Sequence, residues 1–227
     1  MQRHLHSPQL TAAFYKRALL AFTLLLGCAQ VALPQLSVTP QSDLDQLAAS
    51  ITGPGVVISN PSITCHGTGF GEFTYSGSGL DVEQGVILTS GSINNILGPN
   101  NVGNRSFQSN TPGDALLDSV TGRSTLDACT FEFDIIPAGD SLRFDFVFGS
   151  EEYNEWVGSQ YNDVFGFFIS GPGITGDPGI EPAHNIALVP GTSTAIAINN
   201  VNNGSNSGYY VDNTGGSVMQ YDGFTTG

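Results

Sequence analysis

The sequence predicts an all-β fold, a β-sandwich of jelly-roll type with one short N-terminal helix. Three observations predict it. The 227 residues include 29 Gly and 12 Pro but only 11% charged residues, a profile that suits a turn-rich β protein better than a helical one. Short strand-like segments bounded by turn chemistry recur from residue 56 onward: "VVISN", "GEFTYSG", "GVILTSG", "TFEFDIIP", "SLRFDFVFGS", "NDVFGFFISG", "NIALVPG", "TAIAINNV", "GYYVD" and "VMQYDGF". Two of them alternate apolar and polar residues with period two, as a strand does with one face buried and one face wet.

The helix is expected at Ser42–Ser50. Ser42 can cap it, Asp45 supports the first turn, Leu44 and Leu47 form an apolar edge, and "GPG" at 53–55 stops it. The alternating pair lies mid-chain. Phe131, Phe133 and Ile135 interleave with Glu132 and Asp134; Leu142, Phe144, Phe146 and Phe148 interleave with Arg143 and Asp145. The turn formers Pro137–Asp140 between them predict a hairpin, with Arg143 facing Glu132 and Asp134, and with Phe131, Phe133, Phe144 and Phe146 buried. "DVFGFFIS" is more continuously apolar and is expected to be a central strand. Residues 94–122 form a long polar insertion with one helical turn at "DALLDSV". No internal repeat divides the chain.

A basic segment ending in "YKR", the apolar run "ALLAFTLLLG" and then "CAQVALPQ" follow the order of a secretory signal peptide over residues 1–29. The run is too short to span a bilayer, so no transmembrane helix is expected in the mature chain. "LLGC" also allows a lipoprotein anchored through Cys28. Either way the expected location is secreted or cell-surface. Removing the leader leaves three arginines, no lysine and all 20 carboxylates, a net charge of −17. Such a surface repels nucleic acid and attracts cations. Cys65 and Cys129 then remain, either bonded to each other in the oxidising compartment or present as two separate thiols.

Several stretches taken together resemble a known family: "GVILTSG" and "GPNN", then "TLDACTFEFDIIP", "LRFDFVFGSEEYNEWVGSQYNDVFGFFISGPG", "NIALVPGTSTAIAINNVN", "YYVDNTGG" and "MQYDGF". In that order they resemble the choice-of-anchor L domain of bacterial secreted and surface proteins, over residues 40–227. The resemblance implies export and an adhesin-like, surface-sorted context. It also implies further strands after "QYDGF", so that this domain is expected to be C-terminally truncated at Gly227.

The most acidic stretch is also the most aromatic. Glu151, Glu152, Asn154, Glu155, Asn162 and Asp163 offer oxygen donors from one strand end and the loop beyond it, and Asp127 can join from a neighbouring strand. Calcium takes six to eight such oxygens in flexible geometry, which makes it the expected ion, with Kd of about 10⁻⁴–10⁻³ M for an extracellular module. The alternative is a solvated acidic loop. Tyr153, Trp156 and Tyr161 in the same stretch suit stacking on a sugar ring or anchoring a protein partner. These features predict a non-enzymatic extracellular module of adhesion or ligand-binding character, its partner an unidentified extracellular protein or glycan. The competing expectation is a secreted carbohydrate-active domain that cleaves glycosides with loop carboxylates. Against it, Glu151 and Glu152 would face opposite ways on a strand, and no nucleophile–histidine signature is present.

Overall fold

The computed structural model describes residues 35–227, so the expected leader and Cys28 lie outside the described residues. The architecture is all-β. Its strands are β1 (Leu36–Pro40), β2 (Val56–Thr64), β3 (Phe70–Tyr75), β4 (Gln84–Leu88), β5 (Thr130–Pro137), β6 (Val147–Ser150), β7 (Phe168–Ile169), β8 (His184–Asn185), β9 (Val211–Asp212) and β10 (Gly223–Thr226). They build four small, open, antiparallel sheets, ordered β1-β3-β4, β6-β10-β9, β2-β5 and β7-β8.

Two short α-helices accompany them. The first, α1 (Leu44–Ser50), begins one residue later than the sequence suggests, because Asp43 rather than Ser42 is the cap: its carboxylate accepts from the amides of Asp45 and Gln46. Leu47 and Ala48 are buried. The second, α2 (Ala115–Thr121), is the helical turn expected inside the 94–122 insertion. Asp114 caps its start, and Gly122 ends it with φ of 68°, a left-handed conformation that glycine adopts without penalty. Asp43→Ala should destabilise the protein by about 1 kcal/mol, read as a lower urea midpoint with unchanged slope.

Sequence and structure differ most at the mid-chain hairpin. β5 pairs with β2, in the register Val57↔Ile136 and Thr64↔Thr130, and β6 pairs with β10. Alternation marks a strand locally, but a partner at a sequence distance of about seventy residues leaves no local mark. Arg143 consequently faces neither Glu132 nor Asp134; it bonds Asp145 at 2.8 Å on an exposed surface. Phe131, Phe133, Phe144 and Phe146 are half-buried rather than buried. Phe144→Ala should therefore cost about 1–2 kcal/mol, below the range for a fully buried ring; equilibrium denaturation measures it.

The core lies elsewhere. Phe148, Tyr153, Ala187, Val189, Ile196, Ile198 and Val201 form one cluster, and Leu36, Tyr75, Met219 and Phe224 another. Phe148 belongs to the first, while its neighbour Val147 packs on the second. Alternation along β6 thus turns Phe148 to one cluster and Val147 to the other, so the β6-β10 ladder lies between the two, while β9 is exposed. "DVFGFFIS" forms only the two-residue strand β7 and the bridge Val164↔Ala197, but its backbone also bonds Ile196, Ile198 and Ile186, and Phe165 and Phe167 pack on the first cluster. Cys65 lies just past β2 and Cys129 just before β5, so the β2-β5 register carries the two cysteines opposite one another, and they are bonded as a disulfide.

Candidate functional site

Register places the site. Gly223 on β10 pairs with Ser150, the last residue of β6, so the next positions outward are Glu151 on one strand and Asp222 on the other. Asp222 is thereby near enough for its charge to raise Glu151. Gly223 permits the approach: a side chain there would collide with the rings of Tyr210 and Tyr153.

Ser150 is buried and organises the turns beyond the strand end. Its hydroxyl donates to Asp163 Oδ2 at 2.6 Å and accepts from the amide of Glu152 at 2.9 Å. Backbone bonds Trp156 N–Glu152 O and Val157 N–Asn154 O then fold residues 151–159 into turns. The expected separation of the two glutamates fails for this reason. Glu151 and Glu152 lie past the strand end, so strand alternation does not separate them, and both line one cleft.

The cleft measures about 170 Å³ and is lined by Gly103, Asn104, Ser106, Glu151, Glu152, Trp156 and Tyr161. Trp156 and Tyr161 stand edge to face, centroids 5.0 Å apart, and each leaves nearly half its surface exposed at 44% and 48%. Tyr153, expected beside them, points inward instead: it is fully buried in the first core cluster against Tyr210. Turning the chain at 151–154 sends that ring under the sheet end, which withdraws it from any surface ligand.

Electrostatics inside the block are unfavourable. Burial raises Glu151, assisted by the charges of Asp163 and Asp222 and opposed by a 2.9 Å hydrogen bond from Ser106 Oγ. Glu152 is pushed up to about 7, by burial and then by Asp163, Glu151 and Glu155. Asp163 is enclosed on its inner side, which raises it against the bond from Ser150, yet it keeps a solvent-open face. Asp222 is raised by burial and by Glu155 and Asp212, with Asn100 Nδ2 donating at 2.7 Å in the opposite sense. No Lys or Arg forms an ion pair with any of these carboxylates among the described residues. Glu151 Oε2 and Asn154 Oδ1 are buried without a hydrogen-bond partner, as are the hydroxyls of Tyr153 and Tyr210.

Not every expected donor joins the group. Asp127 accepts from the amides of Thr111 (2.7 Å) and Ser109 (3.3 Å) and ties down the insertion. Asn162 Oδ1 accepts from the amide of Asn199 at 3.0 Å. Glu155 is exposed. Among the described residues no three Asp, Glu, His or Cys side chains converge closely enough to hold a metal ion unaided. Conversely, Asp222, Ser150 and Ser106 belong to the site, although no local pattern in the sequence marks them. Asp222 sits in "MQYDGF" but reaches Glu151 only through the β6-β10 pairing, and Ser106 arrives on the insertion.

Chemically, the arrangement is an oxygen-rich, anionic cleft with two aromatic faces at its mouth. It attracts cations, and it offers both hydrogen-bond acceptors and a stacking platform to a polar ring. No helix among the described residues is long and apolar enough to cross a membrane.

No curated protein and no solved structure matches the chain. The choice-of-anchor L domain, a mark of secreted or surface-associated proteins and not a known enzyme family, matches residues 37–227. With the match spanning the whole described fold, the chain belongs to the choice-of-anchor L domain family.

Proposed function

We propose that the protein is an exported, non-enzymatic surface module of adhesion or ligand-binding character, built as a sandwich of jelly-roll type, whose acidic end takes up calcium. The observation that carries this reading is the combination of mutually repelling carboxylates with buried oxygens that make no short hydrogen bond, Glu151 Oε2 near the Arg105 amide and Asn154 Oδ1 near the Tyr210 hydroxyl. A buried acceptor without a short hydrogen bond is costly, and a cation satisfies acceptors as no water-poor pocket can. The donor set fits calcium: oxygens only, from Glu151, Glu152, Asn154, Asp163 and Asp222, on turns flexible enough to gather around a large ion. Uptake requires side-chain rearrangement, since the carboxylates are not gathered beforehand. That is consistent with an affinity in the weak extracellular range.

Calorimetric titration of calcium into metal-free protein tests this. One saturable site with Kd of about 10⁻⁴–10⁻³ M is expected, with magnesium weaker because it prefers small octahedral sites. Glu152→Gln and Asp163→Asn should each weaken it. Absence of saturable binding contradicts the reading. Trp156, the sole tryptophan, reports the ligand side: its emission should change with the bound glycan or protein partner.

A second reading rests on one observation. Glu151 and Glu152 share the cleft, and Glu152 at about 7 holds a proton near neutral pH, as a general acid in glycoside cleavage does. Release of reducing sugar from a polysaccharide panel, lost in Glu152→Gln, supports a carbohydrate-active domain. No release from any member supports the binding module.

A further inference from the structure

Away from the acidic cleft, the loop that joins β7 to β8 carries the chain's only Asp–Pro bond, Asp177–Pro178. Residues 177–180 form a turn. The Ile180 amide donates to Asp177 O at 3.1 Å, and Gly179 takes the third position with φ of 89°. Buried Ile180 anchors the turn, and the Asp177 amide donates to Ala183 O at 2.8 Å, while Pro178 and Gly179 stay exposed to water. Both oxygens of the Asp177 carboxylate are held: His184 Nδ1 donates to Oδ1 at 2.6 Å and the Asn185 amide to Oδ2 at 2.9 Å. The Asn185 bond, and after it His184, keep that carboxyl below the usual carboxylate range, and no charge other than that of His184 acts on it. Glu181, the loop's other acid, accepts from the Gly179 amide at 2.9 Å instead.

These are the parts of an intramolecular acyl transfer. An aspartate reaches its own main-chain carbonyl carbon by closing a small ring, which gives it the high effective concentration of an oriented nucleophile. The Ile180 amide points at the oxygen on which negative charge develops, and the His184 imidazole, when protonated, stands at the carboxylate as a proton donor. We propose that the chain cuts itself at Asp177–Pro178. A carboxylate oxygen of Asp177 attacks the Asp177 carbonyl carbon. The C–N bond to Pro178 breaks, its electron pair stays on nitrogen, and the nitrogen takes a proton from the His184 imidazolium. A cyclic anhydride is left at Asp177 beside a free Pro178 amine. Water then opens the anhydride, restoring the side-chain carboxylate and leaving a new main-chain carboxylate. The whole step consumes one water and needs no oxidant, reductant or cofactor. It happens once per chain, so it stands beside a binding role. Pairing of Phe168 with Asn185 and Ile169 with His184 bridges the nick and keeps the two pieces together until they are denatured.

The purified protein is held at about pH 5, where imidazoles are charged, and at about pH 8, then read by denaturing mass spectrometry. Two pieces are expected, one ending at Asp177 and one beginning at Pro178, with masses that sum to the intact chain plus one water. At the lower pH the folded protein should cut roughly tenfold faster or more than the same protein unfolded in urea, at a rate independent of protein concentration. Added hydroxylamine should trap the anhydride as a hydroxamate on Asp177. His184→Gln should slow the cut roughly tenfold or more, and Asp177→Glu, which keeps the charge but must close a larger ring, should slow it further. The comparison of folded with urea-unfolded wild type needs no variant to fold. Folded protein that stays whole at both pH values, or that cuts no faster than in urea, overturns the proposal. So does a rate unchanged in His184→Gln, which would show only the ordinary acid lability of an Asp–Pro bond, or a rate that rises with protein concentration, which would show one molecule or a protease cutting another.

Discussion

Removing the Cys65–Cys129 disulfide should lower the melting temperature by about 8–16 °C. The bond spans 64 positions, and closing a loop of that size stabilises by about 4 kcal/mol in the chain-entropy model. For a domain of this size each kcal/mol corresponds to about 2–4 °C. Location raises the stake. β2 and β5 pair only with each other, and a lone two-stranded ladder is marginal in water. Val57 and Ile136 face solvent at 58% and 64% exposure, so only the opposite face of that ladder is supported by packing, α1 lying against β2. The closed loop also contains the insertion that brings Ser106 to Glu151. A Cys65→Ala/Cys129→Ala variant should therefore lose amide protection in β5 first and loosen the cleft with it. A drop below about 3 °C contradicts this account of what holds the ladder.

The metal-free protein should be most stable near pH 4–5 and lose stability as pH rises to 7. Glu152 titrates at about 7 in the fold against an ordinary 4.5. Below 4.5 it is neutral in both states. Between those values the unfolded chain ionises first, so raising the pH favours unfolding, and above 7 the loss is complete. Because Glu152 is only partly buried, solvent screening reduces its share to about 1–2 kcal/mol. Glu151, Asp163 and Asp222, all raised, act in the same direction. Asp118, Asp177 and Asp212 are lowered by hydrogen bonds from Thr125, Asn185 and Thr214, so their contribution disappears only as the pH falls below the ordinary carboxylate range. Thermal melts in chelator from pH 4 to 8 measure the profile. Glu152→Gln should flatten its upper limb; a wild-type profile that rises from pH 5 to 7 contradicts the electrostatic description.

Local chemistry made much of the fold legible. The α1 helix, the all-β class and the alternation of Phe131/Phe133 and Leu142/Phe144 are written in windows of ten residues or fewer. Pairing is not. "PAGD" looks like a hairpin turn because turn residues report a change of direction, not its destination, and the chain from β5 goes back to β2 while β6 waits for β10. The same limit governs the site. Contiguous acids and aromatics are visible in the sequence, but the role of each is set by non-local partners: Asp222 enters through strand register, Asp127 leaves because the insertion's amides take its oxygens, and Tyr153 turns inward beneath Tyr210.

Calcium-dependent melting at pH 8 tests the central claim most directly, since Glu152, which titrates at about 7, is then mostly ionised. Binding to the folded state alone stabilises by RT ln(1 + [L]/Kd), so 10 mM calcium at a Kd of about 10⁻⁴ M contributes about 2.7 kcal/mol. That corresponds to a rise of about 5–11 °C over the chelated protein, smaller with magnesium and blunted in Glu152→Gln and Asp163→Asn. Superimposable curves with and without calcium, from protein whose disulfide is intact, would show the acidic end to be a solvated surface and contradict the account.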